Sequence, residues 1–163
     1  TPMGSIARFA ESGKSTNKKD LGMMMINYGY VYVASIAIGA NKNQALQAIR
    51  EAEEYPGPAI VIGYAPCINH GIDMSMAQKH EKAAVEAGYW LLYRYNPLNR
   101  EAGKNPLTLD SKEPKMSIGE FIKTENRYSR LHRIFPERAE KFEKLSEVFF
   151  KERYQQYKKL SEQ

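Results

Sequence analysis

The chain has 163 residues, 42% hydrophobic and 26% charged, with a net charge of +5; that balance suits one ordinary domain with a real core and excludes a disordered segment. A single cysteine excludes an internal disulfide framework and fits a reducing compartment. No apolar run reaches the roughly 18–20 residues that span a bilayer, and Thr1-Pro2-Met3-Gly4-Ser5 has no basic stretch leading into an apolar one, so a soluble, cytoplasmic protein without a signal peptide is predicted.

Residues 1–18 are irregular and polar, and the opening on Thr1-Pro2 reads as the middle of a longer sequence. Asp20 is a candidate cap for a helix over 21–28, with Gly29 as its stop. Residues 31–38, β-branched and almost wholly apolar, predict a buried strand. Asn41 caps a predicted helix over 42–54 whose Ala45, Leu46, Ile49 and Ala52 share a face, and Tyr55-Pro56-Gly57-Pro58 breaks it. A second buried strand is expected over 59–64, a helix over 74–87 ending at Gly88, and a third strand over 89–95. Alternation of this kind with short connections predicts an α/β fold, a mostly parallel sheet covered by helices. Residues 96–106 read as a loop and 107–110 as a short strand.

From residue 111 the pattern is helical only. Ser117 starts one helix, 126–135 form another, and Pro136 opens a long one to about Leu160 with Phe142, Leu145, Phe149, Tyr154 and Tyr157 as its apolar stripe. The division expected is therefore 1–110 as an α/β body and 111–163 as a helical extension packed on it or on a neighbouring domain. The net charge is +2 over 1–20, −1 over 21–110 and +4 over 111–163. In the extension the signs are interspersed, as in Glu140-Lys141 and Glu143-Lys144; this is a solvated helix face and not a phosphate-tracking stripe, so no nucleic-acid partner is expected.

There is no Gly-x-Gly-x-x-Gly, no Walker loop and no Gly-x-Ser-x-Gly elbow. His70, His80 and His132 lack zinc spacing, and His80, beside Lys79, Glu81 and Lys82, reads as a solvated residue. Cys67 is the one candidate for soft chemistry. It follows an apolar strand and precedes a turn, the end of an open α/β sheet where ligands bind. By its chemistry alone it reads first as a buried core thiol, since free cysteine behaves as a small hydrophobe, and second as a ligand or nucleophile.

Three stretches carry more information than any single residue. The first runs from Lys18-Lys19-Asp20-Leu21-Gly22 through Tyr28-Gly29-Tyr30-Val31-Tyr32-Val33-Ala34-Ser35 to Gly39-Ala40-Asn41-Lys42. The second is Tyr55-Pro56-Gly57-Pro58-Ala59-Ile60-Val61-Ile62 with Tyr64-Ala65-Pro66-Cys67-Ile68-Asn69-His70-Gly71. The third runs from Ala87-Gly88-Tyr89-Trp90 through Tyr93-Arg94-Tyr95-Asn96-Pro97 to Gly103-Lys104-Asn105-Pro106 and Leu109-Asp110-Ser111-Lys112. In this order, over nearly the whole chain, they resemble the C-terminal part of the pyruvate:ferredoxin (flavodoxin) oxidoreductases.

The resemblance implies an oxidoreductase that oxidatively decarboxylates pyruvate with coenzyme A to acetyl-CoA and CO2, passing electrons through 4Fe-4S clusters to ferredoxin or flavodoxin. It implies that residues 1–110 are the second half of a thiamine-diphosphate-binding domain, and that the remaining domains of a homodimeric, cytoplasmic enzyme are the partners. In that family a motif matching Tyr64-Ala65-Pro66-Cys67-Ile68-Asn69 supplies the fourth cysteine of the cluster nearest the thiamine. Cys67 is thus the implied metal ligand and cofactor-binding residue, with the other three cysteines outside this chain. The Gly-Asp-Gly and Asn that hold Mg2+ and thiamine diphosphate are absent and are expected before Thr1, so no catalytic residue is assigned and the isolated chain is expected to be inactive. Three alternatives stand beside this: a non-catalytic basic interaction module, a thiol enzyme using Cys67 and His70, and a relative acting on another 2-oxo acid.

Overall fold

Five consecutive buried residues, Tyr32–Ile36, form the strand around which the chain is arranged (β1). The structure, a computed structural model, describes residues 1–163. An irregular segment leads to α1 (Leu21–Ile26), and α2 (Lys42–Glu54) and β2 (Ala59–Gly63) follow β1. After two one-turn 3-10 helices, Ile68–His70 and Met74–Met76, come α3 (Ala77–Glu86), β3 (Tyr93–Tyr95), α4 (Leu98–Glu101) and β4 (Leu107–Leu109). The chain closes with α5 (Ile118–Ile122), α6 (Asn126–Ile134) and α7 (Pro136–Ser161).

Local chemistry sets most helix starts. The Asp20 carboxylate accepts from Met23 N (3.1 Å) and the Asn41 amide oxygen from Gln44 N (3.0 Å), each satisfying an N–H that a helix start leaves free. Ser117 and Glu120 form a reciprocal capping box on α5. Pro136 occupies the first turn of α7, where its missing N–H costs nothing.

The sheet order is β2-β1-β3-β4. It is mixed where a mostly parallel one was expected: β1 and β2 pair in parallel, but β1–β3 and β3–β4 are antiparallel. The α/β class, with helices covering the sheet and a helical C-terminal part, is borne out. β2 was expected to be buried; as an edge strand it is half-buried at Ile60, Val61 and Ile62 and exposed at both ends. The third strand keeps only three of the seven residues expected, and the 96–106 loop contains α4.

β1 divides the core by its period of two. Tyr32, Ala34 and Ile36 face Ala45 and Ala48 of α2. Val33 faces the other way, into a cluster with Leu91, Tyr93, Tyr95 and Leu107 that Tyr154 and Tyr157 of α7 complete. The buried face of α2 is Gln44, Ala45 and Ala48, while Leu46 and Ile49 are about half exposed. Small side chains let this helix approach the sheet, and the Gln44 amide then donates to Ser35 O (3.2 Å) and Asp110 Oδ2 (3.0 Å). In α7 the stripe is buried at Phe142, Tyr154 and Tyr157 and partly at Phe149, whereas Leu145 lies on the outside and Ala139 and Ser146 take up the close contacts. The Tyr93 and Tyr157 rings meet at 4.7 Å, so the long helix and the sheet share one core.

Candidate functional site

The carboxyl ends of β1 and β2, at Ser35 and Ile62–Tyr64, open into a cavity of about 530 Å³. Residues 17–22 form one wall, Tyr89, Trp90 and Tyr93 another, and Phe149, Phe150 and Arg153 of α7 a third. Gly22 has to be glycine because the Tyr93 hydroxyl occupies the space a Cβ would take. Asp20 links the walls: besides capping α1, it accepts from the Tyr157 hydroxyl (3.0 Å) and from Arg153 Nε (3.1 Å).

The lining is rich in positive charge. Lys18, Lys19, Arg127 and Arg153 face it against one lining carboxylate, Asp20. Burial, and then the charges of Arg127, Arg153 and Lys14, push the Lys18 ammonium below the usual lysine range. His70 is pushed down in the same way, by burial and then by Arg127, which favours the neutral imidazole; its Nδ1 is buried without a hydrogen-bond partner.

Behind this wall lies a buried polar network. Glu125 is fully buried, with Oε1 2.9 Å from His80 Nε2 and accepting from the Tyr64 hydroxyl at 3.3 Å. Its carboxylate also pairs with Arg127 Nε, and Arg127 Nη2 donates to the Tyr89 hydroxyl (3.1 Å), which meets that of Tyr128 at 3.2 Å. A carboxylate partner requires the proton on His80 Nε2. Burial, and then the Glu125 charge, raises the Tyr64 hydroxyl well above the usual tyrosine range. His80, expected in solvent, is therefore 9% exposed and carboxylate-bound. Its position was readable: His80, Ala84 and Ala87 recur at i, i+4 and i+7, the spacing of a buried helix face. Nothing local distinguishes Glu125 from the exposed acids of the tail, since only the meeting of three elements buries it.

Cys67 lies four residues beyond the last residue of β2, half-buried and unbridged. It precedes the Ile68–His70 turn, where its carbonyl accepts from His70 N (2.9 Å). Ala65 and His70, on either side of it, line the cavity; Cys67 does not. No group of three or more histidine, cysteine or acidic side chains is placed to hold a metal ion. As donor chemistry a single thiol suits one ligand position of an iron–sulfur group, and this chain offers no second thiol. The cavity lining supplies cationic side chains but no carboxylate cluster that could hold Mg2+.

No family model matches the chain. Its sequence relatives are oxidoreductases. Over its whole length the chain matches one segment of the pyruvate:ferredoxin and pyruvate-flavodoxin oxidoreductases. It is 54% identical over 162 residues to the pyruvate:ferredoxin oxidoreductase of Moorella thermoacetica. It is 55% and 50% identical over 163 residues to the pyruvate-flavodoxin oxidoreductases of Enterobacter agglomerans and Klebsiella pneumoniae. Each match covers 99% of this chain and 14% of the relative, so the chain spans about a seventh of the length of the curated relatives it matches. The acceptor in these names differs between relatives of nearly equal identity. No helix is long and apolar enough to cross a membrane.

Proposed function

We propose that this chain is a segment of a cytoplasmic, homodimeric enzyme that oxidatively decarboxylates pyruvate with coenzyme A, yielding acetyl-CoA and CO2, and reduces ferredoxin or flavodoxin. The observation that carries this reading is the match over 99% of the chain at about 50–55% identity to proteins named for that activity. In this reading residues 1–110 are the C-terminal half of the thiamine-diphosphate-binding domain and 111–163 its helical extension. Thiamine diphosphate and Mg2+ are held chiefly by residues outside the chain, and the isolated chain is inactive.

Cys67 supplies one thiolate to a 4Fe-4S cluster. Such a cluster, when bound, takes up and releases single electrons. The chain's own residues present the thiol: Tyr64 N donates to Ile36 O (3.0 Å) as the last backbone tie to the sheet, and Pro66 stiffens the exit that follows. The thiol side chain caps no helix and bridges to no other cysteine, which leaves it available to a metal.

Two measurements on the full-length enzyme test this. Pyruvate- and coenzyme A-dependent reduction of a low-potential carrier is expected, and its absence with the cofactors loaded overturns the activity. Cys67→Ala is expected to lose or destabilise one cluster; unchanged iron content and EPR signals overturn the ligand assignment.

A further inference from the structure

We propose that Glu125 and Asn126 are positioning residues for the Cys67 turn, one at each end of it. This rests on Cys67 being a cluster ligand, and it adds what sets the place of its sulfur. Beyond the Tyr64–Ile36 bond the segment 65–71 has no strand partner, and its internal backbone bonds are His70 N to Cys67 O (2.9 Å) and Gly71 N to Ile68 O (2.8 Å). Its position relative to the body of the protein therefore depends on what holds its two ends.

Each end meets one of two consecutive residues, Glu125 and Asn126. At the entrance the Tyr64 hydroxyl donates to Glu125 Oε1 (3.3 Å). At the exit Gly71, with φ +76°, lies so close to Asn126 that any Cβ at 71 would overlap the Asn126 side chain. Glu125 is in turn immobilised: it is fully buried, and His80 from α3 and Arg127 from α6 bind its carboxylate from two further directions. A buried carboxylate tied to three elements cannot shift without leaving a buried charge unpaired, which is strongly unfavourable. This is the supporting shell that a soft-metal ligand on an irregular segment needs to be held in place.

The test uses the full-length enzyme with its clusters loaded, in the variants Tyr64→Phe, Glu125→Gln and Gly71→Ala beside Cys67→Ala. Tyr64→Phe removes only the hydroxyl and retains the ring packing, so it reports even if Glu125→Gln unfolds. Iron content, EPR spectra and the midpoint potential of each cluster are read, with thermal unfolding alongside. The expected result is a shift in the EPR signal and potential of the one cluster that Cys67→Ala destroys, the other clusters being unchanged. If Cys67→Ala destroys a cluster while Tyr64→Phe and Gly71→Ala leave its signal and potential as in the parent, the positioning role is overturned and the ligand reading survives. If Cys67→Ala leaves every cluster intact, both are overturned. A uniform change in all clusters also overturns the proposal, because a general loss of stability is then sufficient.

Discussion

Asp20→Ala removes three interactions at once, and the structure assigns a size to each. The cap on Met23 N is worth about 1 kcal/mol. The bond from the fully buried Tyr157 hydroxyl to a charged acceptor is worth about 1.5–3 kcal/mol. The pair with Arg153, whose side chains are 28% and 18% exposed, adds at most about 1 kcal/mol after screening. Together the loss is about 2.5–5 kcal/mol. Asp20→Asn retains an oxygen for the cap and for Tyr157 and forfeits only the charge, so its cost is about 1–2 kcal/mol. Urea unfolding of both variants, with Tyr157→Phe and the double variant Asp20→Ala/Tyr157→Phe, completes a cycle in which a coupling of about 1–2 kcal/mol is expected. If Asp20→Asn costs as much as Asp20→Ala, or the coupling is nil, Asp20 does not bind α7 to the cavity wall in the way described.

Two further outcomes follow from buried polar groups. Arg94 forks onto Asp110 through Nε and Nη2 (2.9 and 2.8 Å) and reaches Glu51 through Nη1 (2.5 Å), so Arg94→Met should cost about 3 kcal/mol in thermal unfolding, with Arg94→Lys restoring only part because an ammonium cannot form the fork; full restoration by lysine contradicts this. Burial is the main cause that pushes the Tyr93 hydroxyl from 10.0 to about 12, so its contribution to stability is complete below about pH 10 and lost as pH rises towards 12. The shift corresponds to about 3 kcal/mol for this residue. Tyr32, Tyr64, Tyr89, Tyr128 and Tyr157 are raised as well, chiefly by burial, so alkaline unfolding should coincide with tyrosinate absorbance in one steep transition; gradual ionisation of these tyrosines near pH 10 in the folded state refutes it.

How much of the fold is legible in the sequence depends on the range of the interaction. The start of α2 at Lys42, the capping box at Ser117 and the long helix from Pro136 rest on contacts within one helical turn, and they stand where the residues place them. The strand content of 32–36 is equally plain because every residue in it is buried, whichever neighbours it pairs with. The direction of β3, the edge position of β2 and the outward face of Leu46 and Ile49 are different in kind. Each depends on which element arrives beside it, and apolar periodicity is the same for a parallel and an antiparallel neighbour.

The site divides along the same line. By itself the sequence determined that one thiol, Cys67, lies between a strand and a turn, and that the chain matches relatives named pyruvate:ferredoxin and pyruvate-flavodoxin oxidoreductases. Only the tertiary structure decided that His80 is buried on Glu125, that Arg127 neutralises that carboxylate, and that Glu125 and Asn126 flank the turn carrying Cys67. The reason is physical. A strand, a cap or a motif is specified by neighbours a few residues apart, whereas a buried charge exists only where distant parts of the chain close over it and supply its partners.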